Sequence, residues 1–380
     1  MAQTVHRPAC HQLMWTTKGL HSSRCRGHTL QGLVWRIDSC ARAHSAHVGI
    51  APAMRGILAG KALEWSPSLA NRPMPGHGSL KLLPNSPTST MDVYSYQDAF
   101  ARNQGWVASH EQEILRHKRI AIAGMGGVGG AHLTTLARLG IGHFSIADFD
   151  EFAIANFNRQ AGAFVSTIGK PKIEVMAAQA RDINPEITLR EFPKGIDADN
   201  MAAFLEGVDL YVDGLDFFAF DARAAVFAAC TERGIPAVTA APLGMGAALM
   251  VFMPGQMSFE DYFGWAGASD DEKALRFAIG VAPAFLHRTY LVDPSVVDLA
   301  AKRGPSTGMA CQICAGVAAT TALKILLNRG KVLAAPHGLQ FDAYRNKFVH
   351  TWRPGGHRNL LQRLVIAIGR RQFKAMRKGV

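Results

Sequence analysis

No run of about eighteen consecutive apolar residues is legible in the 380-residue chain, so no membrane-spanning helix is expected. Cysteine is scarce, with six residues at 10, 25, 40, 230, 311 and 314 and none from 231 to 310. That pattern excludes an evenly spaced disulfide framework. With no secretory leader legible, a reducing, cytoplasmic location is expected. Acidic residues are scarce at one end and missing from the other. Residues 1–90 hold ten Lys/Arg against two Asp/Glu, and residues 353–380 hold eight against none. Residues 91–352 hold 23 against 27, so the net charge of +12 resides in the ends. A broadly basic, nucleic-acid-binding body is therefore not indicated.

What is present begins after Met91. Residues 1–90 show neither helical nor strand periodicity and are rich in breakers at 66–78 and 84–87. They are read either as a disordered or targeting extension or as an over-called start, with translation beginning at Met91. The abrupt onset of patterning favours the second. Strands are expected at 119–123, 143–147, 187–192, 209–212 and 237–240, alternating with helices at 128–139, 172–183 and 220–233. This alternation predicts an α/β fold, a Rossmann-like doubly wound and mainly parallel sheet covered on both faces. A strand at 247–253 and a hairpin at 338–351 add an antiparallel extension. A helix at 111–117 leads into the first strand, and a long apolar helix covers 309–327. Residues 256–307 read as irregular, their aromatics offering a substrate-recognition surface or else a lid or a dimer contact. The organisation expected is one domain over 91–354 and a basic amphipathic tail over 355–380. In the tail Leu360, Leu361, Leu364, Val365 and Ile368 can share a face. The favoured reading is a solvated helix packed on the body or a dimer mate; the other is a membrane-surface helix.

The chemistry concentrates between residues 120 and 172. The loop Gly124-Met-Gly126-Gly127-Val-Gly129 joins a strand to a helix, which lets backbone N–H groups approach phosphates at a helix N-terminus. Asp148 ends the second strand, where a carboxylate can accept ribose hydroxyls. To this point an NAD-binding oxidoreductase is equally supported. Asp150, Asn156, Arg159, Gln160 and Lys172 follow. Two cations and an Asn have no task at a nicotinamide, whereas attack on an α-phosphate needs charge neutralised there and on the departing pyrophosphate.

In order, the chain carries Gly124–Gly129, Asp148/Asp150, Asn156/Arg159/Gln160, Gly169/Lys172, Asn184-Pro185 and Asp213/Asp216. This succession resembles the ThiF-type family, related to ubiquitin-activating enzymes and to the molybdopterin-synthase and thiamine-biosynthesis adenylyltransferases, across roughly residues 95–353. The resemblance implies a homodimeric adenylyltransferase using ATP and Mg²⁺. It implies that Asp148 holds the ribose, that Asn156, Arg159 and Lys172 contact the phosphates, and that Asp150 and Gln160 belong to the nucleotide-binding set. Asp213 would line the nucleotide site. Asp216 would bind Mg²⁺ through ATP or position the attacking carboxylate, and Arg102 would reach the partner subunit's ATP. The bland alternatives are Arg159 paired with Asp150, Lys172 solvated in its first helical turn, and Asp213 as a cap.

Departures narrow the expectation. Many family members hold zinc with two C-x-x-C pairs; here Cys311 and Cys314 form a single pair, and no zinc is expected. Others pass the acyl group to a cysteine after the fifth strand, a segment that is cysteine-free here. Phe217 stands where the family often has Asn. The expected activity is ATP-dependent adenylation of a carboxylate without a thioester step. The substrate would be the C-terminal glycine of a ubiquitin-like or sulfur-carrier protein, or a small acid. The alternatives are a tRNA-modifying dehydratase of the same family, an NAD-binding oxidoreductase, and an adaptor that binds nucleotide without turnover.

Overall fold

The computed structural model describes residues 94–297 and 304–378, with side chains through residue 371. The expectations for residues 1–90 lie outside the described residues. One eight-stranded sheet organises the chain: β1 Arg119–Ala123, β2 His143–Ala147, β3 Thr188–Phe192, β4 Leu210–Asp213, β5 Ala237–Leu243, β6 Gly246–Phe252, β7 His337–Asp342 and β8 Lys347–Trp352. Their spatial order is β3-β2-β1-β4-β5-β6-β7-β8. Strands β1 to β5 pair in parallel and β6 to β8 add antiparallel, as the periodicity predicts. In register, Ala123 lies opposite both Ala147 and Asp213, so β1, β2 and β4 end together along one edge.

The helices of eight or more residues are α1 Ser109–Arg116, α2 Gly127–Arg138, α3 Lys172–Ile183, α4 Phe220–Glu232, α5 Asp270–Val281, α6 Gly308–Leu326 and α7 Leu360–Lys378. Alternation along β1 divides the core in two. Ile120 and Ile122 enter a cluster with Leu133, Leu136, Met176 and Ala318. Ala121 and Ala123 face a cluster with Phe204, Tyr211 and Phe227 on the opposite face. A strand buried on both faces can be apolar at every position, which is why β1 reads as a short apolar run.

Two expectations are corrected. Residues 256–307 are not wholly irregular, because they hold the short helix Phe259–Phe263 and the longer α5. Ser258 and Ser269 cap these helices by accepting the N–H of Asp261 and Glu272. The aromatics there form no surface. Phe259, Tyr262, Phe263 and Trp265 are buried in the second cluster, Phe259 stacked on Phe227 with centroids 4.5 Å apart. Helix α6 has 19 residues, long and apolar enough to cross a membrane by length and composition alone. Thr320, Thr321 and Lys324 interrupt any longer apolar run in the sequence, but a hydropathy average absorbs them. In the fold α6 is half buried, its Ala315, Ala318 and Ala322 turned into the core, where small side chains allow close approach.

Candidate nucleotide site

The glycine loop is held by three backbone contacts that exclude any side chain. Gly124 has φ +89°, and a Cβ there would lie 2.3 Å from Gly214 O. A Cβ on Gly129 would lie 1.7 Å from Gly124 O, and one on Gly214 2.7 Å from Gly129 Cα. The β1 loop, the first turn of α2 and the loop after β4 therefore touch through glycines. Gly126 and Gly127 meet no backbone there; their neighbours are the side chains of Gln160, Arg159 and Cys311. Helix α2 opens on Gly126 with no side-chain cap, so its first N–H groups have no side-chain partner.

Around this loop the acidic groups divide by role. Asp148 Oδ2 accepts the Met125 N–H at 2.6 Å and Oδ1 accepts the Asp150 N–H at 2.8 Å. Burial raises the Asp148 carboxyl above its usual value, and these two amides lower it in part. Asp150 is exposed and receives the Lys172 ammonium at 2.8 Å, with side-chain exposures of 55% for Asp150 and 8% for Lys172. Lys172 is thus a buried cation at the first position of α3, and its own N–H donates to Asp150 O at 2.9 Å. The solvated first-turn alternative is excluded.

The segment after Asp150 follows a tight path. Asn156 Oδ1 accepts the Ala153 N–H at 2.9 Å and closes the turn Ile154–Asn156. Arg159 Nη1 donates to Ala155 O at 3.0 Å and to Asn158 Oδ1 at 2.9 Å; its guanidinium is not the partner of Asp150. Gln160 is buried beside Gly126, and its Oε1 has no protein hydrogen bond. Gly124, Gly126, Gly127, Gly129, Asp148, Asp150, Gln160 and Lys172 are brought to the common end of β1 and β2, and Arg159 packs on Gly127.

A family profile described as the ThiF family matches residues 100–362. The chain belongs to the ThiF family. Among relatives of this ThiF chain, the tRNA threonylcarbamoyladenosine dehydratase of Bacillus subtilis is 33% identical over 150 residues, 39% of this chain and 57% of that protein. The molybdopterin-synthase adenylyltransferase of Escherichia coli is 33% identical over 141 residues, 37% of this chain and 56% of that protein. The chain spans about half the length of the curated relatives it matches. The fold also resembles the crystal structure of PaaA, with a TM-score of 0.51 and 17% identity, covering 71% of this chain and 77% of that one.

Three expected residues of this ThiF site are placed differently from the rest. Asp213 ends β4 with its carboxylate turned inward. It accepts from Arg223 Nε at 2.8 Å, Thr239 Oγ1 at 2.9 Å, Tyr211 OH at 3.3 Å and the Leu215 N–H at 3.2 Å. Asp213 is neither a cap of the next helix nor open to a ligand. Asp216, three residues on, is exposed and accepts the Phe218 N–H at 3.0 Å. Arg102 is exposed in the turn Ala101–Asn103, whose Asn103 side chain donates to Leu139 O. Leu139 caps the far end of α2, about 18 Å along that helix from the glycine loop.

Arg223 was not singled out by any motif. It is fully buried in α4, donates to the carbonyls of Leu215, Asp216 and Phe217, and stacks 4.7 Å from the Phe277 ring centroid. A cation beside the apolar run Ala224–Ala229 was the available signal. Cys311 and Cys314 are both buried in α6, and burial raises both thiols. Neither is poised as a thiolate.

Proposed function

We propose that this ThiF-family chain activates a carboxylate by adenylation with ATP. The observation that carries the reading is Lys172, a buried cation whose counter-ion Asp150 is largely in solvent, set beside a glycine loop that only a slender ligand could follow. Burying a lysine costs free energy unless an anion offsets it. A phosphate chain supplies that anion, and Asp150 holds the ammonium in place when none is bound.

The roles follow from position. Asp148, pinned by two amides, keeps a carboxylate at the end of β2 to accept ribose hydroxyls. The uncapped N-terminus of α2 binds phosphate oxygens. Lys172, Arg159, Asn156 and Gln160 place positive charge and donors along the triphosphate, stabilising charge on the α-phosphate and on pyrophosphate as the bond to it breaks. Asp216, exposed on a loop fixed from beneath, is suited to bind Mg²⁺ through ATP. The ion would supply further charge neutralisation. Asp213 acts by fixing that loop, without contact to the nucleotide. The substrate carboxylate becomes an acyl-adenylate, which reacts with an external nucleophile without a thioester stage. A ubiquitin-like or sulfur-carrier C-terminus fits this chemistry, as does a small acid. The unit we infer is a cytoplasmic homodimer in which Arg102 serves the partner's site, since it lies far from its own. No zinc is assigned.

A second reading keeps the chemistry and changes the substrate. The similarity to a tRNA threonylcarbamoyladenosine dehydratase supports a carboxylate carried on a tRNA base. ATP–pyrophosphate exchange tests the common step, with candidate carrier proteins, small acids and tRNA as separate additions. Exchange that requires one of these and is abolished by Lys172→Ala and Asp216→Ala supports the proposal. Nucleotide binding without exchange for any addition would reduce it to a binding site.

A further inference from the structure

The tail helix α7 has two faces, and the body covers one of them. Gln362 and Ile366 are buried, and Gly369 packs so closely on α5 that a Cβ there would lie 2.9 Å from Leu275 Cδ1. Glu272 of α5 pins this face, accepting from Arg370 Nε at 2.8 Å and from its own neighbour Arg276 at 2.6 Å. The other face carries Leu360, Leu361, Leu364 and Ile368, which are exposed by 79%, 49%, 57% and 47%. At the helical repeat these four fall within about 100° of arc. Exposed Arg363 flanks them and exposed Arg371 continues their arc toward the end of the helix, while Arg370 is held by Glu272. Where α7 meets α5 and the turn Gly356–Arg358, a groove of about 680 Å³ is lined by Arg276, Arg358, Arg363 and Arg370 together with Leu360 and Leu364. Among the described residues no Asp or Glu lines it, but Arg276 and Arg370 are already paired with Glu272, which leaves Arg358 and Arg363 as its unpaired guanidinium groups.

We propose that this face docks on an anionic lipid bilayer, the apolar stripe entering the headgroup–acyl boundary and the arginines meeting lipid phosphates. A leucine-rich stripe bordered by cations, on a helix already anchored by its opposite face, has the form of an interfacial helix. Charge decides among occupants. Residues 353–380 carry eight Lys/Arg and no Asp/Glu, so a second copy would set like charge against like. An RNA backbone would satisfy the arginines but leave four large apolar side chains against a polar strand. The body at 91–352, with 23 Lys/Arg against 27 Asp/Glu, is not attracted to such a surface, so the tail sets the orientation. Docking does not depend on turnover at the nucleotide site.

Flotation of the full chain with phosphatidylcholine vesicles, with and without phosphatidylglycerol, tests this. The protein is expected to float only with vesicles containing phosphatidylglycerol, and raised salt should weaken binding. The double variant Leu364→Ser/Ile368→Ser alters exposed side chains alone. It should lose vesicle affinity by roughly tenfold or more, with its melting temperature unchanged. Arg358→Glu/Arg363→Glu should abolish flotation. Equal flotation with neutral vesicles, or variants that float like the parent, would overturn the proposal. So would a tRNA gel shift lost in both variants when vesicles do not bind, which assigns the face to RNA. A sedimenting dimer lost in the leucine variant, again without vesicle binding, assigns it to a second copy.

Discussion

Arg223 Nε meets Asp213 Oδ2 at 2.8 Å, and each side chain is 2% exposed. The same guanidinium holds the carbonyls of Leu215, Asp216 and Phe217, so one buried cation joins the end of β4 to the loop that presents Asp216. Arg223→Met would strand the Asp213 carboxylate. It should destabilise the fold by about 3–5 kcal/mol in chemical denaturation, the cost of breaking a buried pair from one side. Arg223→Lys restores charge without the planar fork and should recover part of that loss, while the 214–218 loop becomes more sensitive to proteolysis than in the parent.

Lys172→Met separates chemistry from packing. The methionine keeps much of the buried volume, so stability should change by no more than about 1.5 kcal/mol. ATP–pyrophosphate exchange should fall by about two to three orders of magnitude, as for removal of a charge-stabilising group. A loss of exchange that merely tracked unfolding in a melting assay would contradict the assignment.

Asp150→Asn leaves the Lys172 ammonium buried without its carboxylate. The variant should melt below the parent in the absence of nucleotide, and ATP should raise its melting temperature more than it raises the parent's. Equal shifts would mean that phosphate does not replace Asp150.

His132 lies in α2 with both ring nitrogens buried and lacking protein hydrogen bonds. Burial lowers its pKa to about 4 from an ordinary 6.5, with Asp213 opposing weakly. The unfolded chain therefore binds the proton first. Stability is fully present above pH 6.5 and is lost as pH falls toward 4, by up to about 3.5 kcal/mol at 1.4 kcal/mol per unit. His132→Leu should flatten this limb in pH-dependent denaturation and match or exceed the parent's stability near neutrality.

The Asp148 carboxyl is raised above its ordinary 3.8 by burial. A role in accepting ribose hydroxyls needs the ionised form. Nucleotide affinity should decline as pH falls through that raised value, beginning at a higher pH than an exposed aspartate would give. Calorimetric titration across the acid range should show the decline in the parent and not in Asp148→Asn, whose affinity is low throughout.

Much of the site was legible because its constraints are local. A strand, a glycine turn and a helix N-terminus are fixed within a dozen residues, so Gly124–Gly129 and Asp148 stand where their spacing predicts. Lys172 was legible as a cation in an unfavourable first-turn position, but its burial against Asp150 was not. Asp213 and Asp216 looked alike as members of one motif. The structure parts them, turning one inward to Arg223 and the other out to solvent. The aromatics of 259–265 misdirected because an apolar residue in a sequence does not declare which surface it covers.

By itself the sequence determined the alternation of strands and helices, the phosphate-directed loop and the order of its polar residues, because each depends on short-range periodicity and backbone sterics. Tertiary structure decided which charges are sealed and which are open. Burial of Lys172, of the Asp213–Arg223 pair and of one face of α7, with the other left bare, arises from segments 10 to 98 residues apart meeting in the fold. The desolvation that gives those charges their roles exists only once the segments have met.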